Sequence, residues 1–299
     1  MGCLHTVFFS ILFIAAMVYM GTCAKMDMAP TAVDYTFSEC REKMLSKVIS
    51  PNGLLEEELK NNSELSAEWT QIKCNIFPGG LEEHTEALVT YSHAKRIFRQ
   101  NFNKFVASKG GNMSLYQTEF FFKSLDFLLL DSMWLLNNGS DCRAVFRGTE
   151  KSYDATVGDK VRFGRFTSAN TKRTDAVENC ADGGTLFNIY TCSVVDLETY
   201  ACLPDELELL ISPLEVFSVV DVKTISDCDK VIVLNHTWSA PPPSGCILFP
   251  TPQPTTTTLS TSPKPTISLP ANFSHQWLSS RTCVLWSMFL YLFMPVLDL

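Results

Sequence analysis

Hydrophobic positions divide this chain into a helical first half and a strand-rich second half. Across 82–106, Leu88, Tyr91, Lys95, Phe98, Phe102 and Phe105 return at three- or four-residue steps and lay an apolar stripe along one helix side. Gly110 and Gly111 end that region. Across 118–136, Phe121, Leu125, Leu128, Leu129, Ser132 and Leu136 recur at helical spacing. Phe122, Phe127 and Trp134 widen that stripe until the helix must be buried on most sides. Lys123, Asp126 and Asp131 interrupt it too often for a membrane span. Residues 39–48 and 53–65 carry mixed helical patterns. After Asn137-Asn138-Gly139 the period changes. Residues 142–146, 161–168, 185–194, 208–211, 215–222 and 230–235 are short, β-branched or aromatic, and bounded by turn residues. Several helices followed by several strands predict an α+β domain over 25–249, not an alternating doubly wound sheet.

Both ends are apolar. From Leu4 to Met20 there is no Lys, Arg, Asp or Glu, and Gly21, Thr22, Cys23 and Ala24 follow. A short apolar core before small residues predicts a secretory signal over 1–24, cut near Ala24. An uncleaved anchor is the alternative, disfavoured because a span needs about 20 apolar residues. Residues 250–272, rich in Pro, Thr and Ser, read as an extended O-glycosylated stalk. Residues 273–299 finish in an apolar run whose single charge is Asp298, with no basic flank. That pattern fits a removable glycosylphosphatidylinositol (GPI) attachment signal better than a permanent span, with Asn272 or Ser274 as attachment residue. The expected location is the extracellular side of a cell surface, with a secreted or shed form as the alternative.

Charge and cysteine usage agree with export. The 299 residues carry 24 basic and 32 acidic side chains, a net charge of −8. With no Lys/Arg block, nucleic acid is excluded as a partner. The 21 Phe, 8 Tyr and 5 Trp supply apolar area that a disordered chain could not keep in water. Outside the terminal signals stand Cys40, Cys74, Cys142, Cys180, Cys192, Cys202, Cys228 and Cys246. This even set makes four disulfides plausible in an oxidising compartment. No tight Cys-x-x-Cys or His-x-x-x-His spacing supports a metal, and none is expected. Asn61, Asn112, Asn138, Asn235 and Asn272 begin glycan acceptor triplets. The glycine pattern of a dinucleotide crevice, a Walker loop and a Gly-x-Ser-x-Gly elbow are all absent from the sequence.

Three stretches could carry chemistry. Phe146-Arg147-Gly148-Thr149 puts a rigid donor fork suited to phosphate or carboxylate beside a glycine that permits close backbone approach. By pattern alone, a surface arginine before a turn is the plainer reading. In Phe166-Thr167-Ser168-Ala169-Asn170, an extended backbone points Ser168 and Asn170 the same way, where they could orient a carboxylate or bind ribose hydroxyls. A polar strand end is the ordinary explanation. In Pro204-Asp205-Glu206-Leu207-Glu208, the two glutamates share a side if the strand has begun. Such a pair could stabilise an oxocarbenium-like centre and orient a nucleophile.

Taken in order, these stretches resemble the arginine–serine–glutamate signature of the vertebrate ecto-mono-ADP-ribosyltransferases, which are arginine-directed and GPI-anchored. The resemblance extends to Asp27-Met28-Ala29, the run from Phe122 to Leu129, Ile189-Tyr190-Thr191-Cys192 and the run from Pro204 to Glu215. It implies helices packed on two small, mostly antiparallel sheets that form a cleft for NAD, which is consumed as a substrate. ADP-ribose would pass to arginine-bearing protein acceptors with release of nicotinamide. The resemblance further implies that Arg147 holds the NAD phosphates and Gly148 lies against the nicotinamide amide. Ser168 would contact the nicotinamide ribose, Glu208 would stabilise the ribosyl centre, and Glu206 would receive the acceptor guanidinium. Tyr200 could pack on the acceptor. A monomer with Cys40–Cys246 and Cys142–Cys192 disulfides is implied, leaving Cys74, Cys180, Cys202 and Cys228 unassigned. Asn170 stands where the family usually has Ser or Thr, which bears on rate and NAD geometry. An NAD glycohydrolase using the same residues and an inactive cell-surface binding glycoprotein are the alternatives.

Overall fold

The computed structural model describes residues 23–69, 74–137, 142–180, 183–202, 208–225, 228, 230–237 and 243–249. The stalk, the tail, all but two residues of the signal, and Glu206, Asn138 and Asn272 lie outside the described residues. The chain divides after Cys246.

The first half forms α1 (Arg41–Ile49), α2 (Leu54–Asn61), α3 (Ser63–Glu68), α4 (Glu82–His93), α5 (Arg96–Ser108), α6 (Met113–Glu119) and α7 (Lys123–Leu136). The stretch 82–106, expected as one helix, is two. Ala94 and Lys95 turn extended between them, and Glu68 Oε2 accepts the Lys95 backbone N–H at 3.0 Å. The expected helix over 118–136 starts only at Lys123. There the buried Glu58 carboxylate accepts the backbone N–H of Lys123 at 2.9 Å and of Ser124 at 2.8 Å. Both breaks are thus satisfied by distant glutamates, which supply acceptors that the first turn of a helix lacks.

The second half contributes β2 (Arg143–Thr149), β3 (Tyr153–Asp154), β4 (Lys160–Val161), β5 (Thr167–Asn170), α8 (Arg173–Glu178), β6 (Thr185–Thr191), β7 (Val194–Asp196), α9 (Leu197–Tyr200), β8 (Glu208–Ile211), β9 (Phe217–Lys223) and β10 (Lys230–His236). The two-residue strand β1 (Ala24–Lys25) pairs with β3. The other eight run in the order β4-β9-β10-β6-β2-β5-β8-β7, antiparallel throughout except β6 with β10. A single pair, Phe146 opposite Asn170, joins β2 to β5. The fold is therefore α+β, with a five-stranded and a three-stranded group of strands meeting at one seam. The expected strand over 161–168 is split because Arg162 donates from its backbone to Asp27 O and from Nε to Met28 O, both at 2.8 Å. Gly164 then takes φ +60°, outside the strand region.

Alternation along β2 separates two cores. Val145 packs with Phe187, Ile189 and Ile232 on one face. Phe146 packs with Ala176, Leu186 and Val231 on the other. A third core of rings fills the helical half, where Phe102 lies 5.5 Å from Phe122 and 5.6 Å from Phe166. Phe166 immediately precedes β5, so this stack fastens that strand to α4 and α5. Cys40–Cys246 and Cys142–Cys192 are bonded, and the remaining four cysteines pair as Cys74–Cys202 and Cys180–Cys228.

Candidate active site

The seam between β2 and β5 is where the candidate residues meet. Phe146, Asn170 and Glu208 stand opposite one another across β2, β5 and β8. With a ladder only one pair long between β2 and β5, Arg147 bridges the strands by its side chain. Its Nη1 donates to Ser168 O at 2.6 Å and to Ser168 Oγ at 3.3 Å. Strand alternation leaves Ser168 and Asn170 half-buried while Thr167 and Ala169 are buried. The cleft at this seam has a volume of about 730 Å³, and Arg147, Gly148, Ser168, Asn170 and Glu208 all line it. Such a volume falls in the range of small-molecule sites.

Charge in the cleft is mixed. Arg96, Arg147 and Lys151 contribute cations, and Glu150, Asp175 and Glu208 contribute carboxylates. Burial, and then the neighbouring Arg165 cation, pull the Arg147 guanidinium below its usual value, while Tyr153, Tyr91 and Glu208 act the other way. Tyr91 lies behind the site, accepting from Asn103 Nδ2 at 3.0 Å and donating to Phe166 O at 3.4 Å. Burial raises its phenol and the nearby Glu208 carboxylate adds to this. A partly buried cation held against Ser168 and an acid at the strand end opposite suit a ligand that carries both anionic and cationic parts.

Gly148 has a structural role that the sequence did not reveal. A Cβ built there would stand 1.7 Å from Ala176 O, because α8 lies against β2 at this point. Helix α8 was not expected, and it supplies Asp175 and the following Asn179 to the cleft wall. Arg96 and Arg99 were also missed. Arg99 Nη1 lies 3.6 Å from Glu208 Oε1. Their signal was two arginines three apart on α5, off the apolar stripe. Tyr200, read as a residue that could pack on an acceptor, ends α9 and meets the Phe77 ring edge-on at 6.0 Å. Glu206 lies outside the described residues. The bond from Cys202 to Cys74 ties the chain just after α9 to the helical half.

Residues 26–238 match the family described as NAD:arginine ADP-ribosyltransferase. The chain belongs to that family. Among family relatives, bovine ecto-ADP-ribosyltransferase 5 is 30% identical over 211 residues. Rabbit GPI-linked NAD(P)(+)--arginine ADP-ribosyltransferase 1 is 31% identical over 218 residues. The alignments cover 65% of each chain in the first case and 66% in the second, so the chain spans just under two thirds of these relatives' length. The crystal structure of the eukaryotic mono-ADP-ribosyltransferase ART2.2 shares 30% sequence identity at a TM-score of 0.60, covering 72% of this chain and 96% of that one. Variants of ART2.2 have been solved in complex with NADH and with NAD. The α+β architecture and its cleft are therefore those of the ADP-ribosyltransferase family.

Proposed function

We propose that this chain transfers ADP-ribose from NAD to arginine side chains of extracellular or cell-surface proteins and releases nicotinamide. The observation that carries the reading is the meeting of Arg147, Ser168 and Glu208 at one cleft in a chain of this family. Arg147, held against Ser168, grips the anionic pyrophosphate with its remaining donors, and Gly148 and Asn170 line the nicotinamide-ribose end. Cleavage breaks the bond between ribose and the cationic nicotinamide nitrogen. The electron pair leaves with nicotinamide, so positive character grows on the ribose. The Glu208 carboxylate stabilises that charge through the ribose hydroxyls. A guanidino nitrogen of the acceptor forms the new bond, and Glu206 aligns it and takes up the proton it sheds.

Support for an extracellular setting comes from the apolar ends of the chain, the even cysteine set and the GPI-linked rabbit relative. No helix among the described residues is long and apolar enough to cross a membrane. In this reading residues 1–24 are the export signal, residues 250–272 the stalk and residues 273–299 the exchanged tail. The enzyme works as a monomer with no metal.

The test is mass spectrometry of an arginine-containing peptide incubated with NAD and the mature protein. The expected product is the peptide with one ADP-ribose on the arginine side chain. Nicotinamide release with free ADP-ribose and no peptide adduct would identify a glycohydrolase instead. Neither product would identify a binding protein.

A further inference from the structure

We propose that Arg99 is a positioning residue for the Glu208 carboxylate, a role that rests on the transferase reading above. Arg99 lies on α5, between Phe98 and Phe102, which are 1% and 0% exposed. The guanidinium is therefore presented by a helix whose adjoining turns are locked into the ring core. Glu208 begins β8, and its three side-chain rotors oppose any single orientation unless a partner holds them. Among the described residues, Arg99 is its ion-pair partner, with Nη1 at 3.6 Å from Oε1. Among the described residues, Arg99 from α5 and Arg147 from β2 are cations near Glu208, with the phenol of Tyr91 on α4 behind them.

The distance carries the argument. At 3.6 Å the pair lies beyond hydrogen-bond reach, so the cation attracts the carboxylate without occupying its lone pairs. Both oxygens stay available to accept from ligand hydroxyls in the cleft that Glu208 lines, while Arg99, which stands outside that lining, limits the rotamers open to the carboxylate. A bidentate, hydrogen-bonded arginine, as at Arg41 with Asp131 (2.6 and 2.9 Å), would instead consume those acceptors. Misplacing a reacting group by about an ångström can cost about a hundredfold in rate, so even a partial loss of this bias is measurable in turnover.

The experiment measures nicotinamide release over a range of NAD concentrations for the full mature protein and for Arg99→Ala, Arg99→Lys, Glu208→Gln and the Arg99→Ala/Glu208→Gln double variant. Thermal melting confirms that each variant is folded. The expected result for Arg99→Ala is a kcat about tenfold lower with the NAD KM within about twofold, and recovery of at least half the activity in Arg99→Lys. The double variant should be no slower than Glu208→Gln alone, since Arg99 acts through that carboxylate. An unchanged or higher kcat in Arg99→Ala overturns the proposal. So does a raised KM at constant kcat, which would make Arg99 an NAD ligand. If Arg99→Ala does not fold, an Arg99→Lys variant that melts normally but shows no recovered activity overturns it as well. A wild-type protein that releases no nicotinamide overturns the transferase reading and this proposal together. An active wild type matched by Arg99→Ala removes only the latter.

Discussion

Asp126 shows how far a single buried group can set the behaviour of a helix. It is 2% exposed on α7, and its Oδ1 has no hydrogen-bond partner. Burial first, and then the Glu58 carboxylate, raise its carboxyl well above the usual 3.8. The folded state thus keeps a proton that the unfolded chain has lost. The associated stability is complete below the unfolded value and disappears as pH rises through the folded one. Glu58, itself raised by burial, contributes with the same sign. Asp126→Asn keeps the shape and removes this titration. Denaturant unfolding between pH 4 and 8 should show a flatter pH dependence for Asp126→Asn than for wild type, with the variant gaining most at the alkaline end. Parallel curves would contradict the assignment.

Elements meet at distances that single residues permit, and β2 against α8 is the clearest case. The carbonyl of Ala176 occupies the space that a side chain at position 148 would need. Gly148→Ala must push α8 off the strand or twist β2, at a cost of about 1–3 kcal/mol. Because β2 also carries Arg147, NAD cleavage should fall along with the melting temperature. Retained activity at wild-type stability would show that α8 yields to a side chain at position 148. The glycine reads in sequence as permitting close approach of a ligand; its packing against α8 was not legible, since nothing in the polar run from Lys172 to Glu178 gives a strong helical period. The helix breaks before Arg96 and before Lys123 were hidden for a related reason. Their caps, Glu68 and Glu58, come from other helices, and periodicity within a window carries no trace of them. By contrast β8 was legible to the residue, its apolar run Leu209-Leu210-Ile211 following Glu208 and stopping at Ser212-Pro213.

At the scale of the whole molecule, two halves of different period are fastened by rings and disulfides, and the cleft opens along the seam between β2 and β5, within the second half. The order of helices before strands was enough to read the α+β class. The resemblance supplied the cleft and two of the four disulfides. Arg147, Ser168 and Glu208 could be proposed together because their motifs survive in order, although they lie up to 61 residues apart. What the sequence hid was the support behind them: Tyr91, counted as part of an apolar stripe, and Arg99, which lies on a different element from the residue it faces. Such pairings depend on how α5 docks against β8, which packing across the whole domain decides.

The central claim is that Glu208 acts on NAD held by Arg147 and Ser168, and it is tested most directly by calorimetric NAD binding combined with nicotinamide release for Glu208→Gln. The expected result is NAD affinity within a few-fold of wild type, an unchanged melting temperature, and turnover lower by about a hundredfold or more. Turnover equal to wild type in a variant that still binds NAD would contradict it.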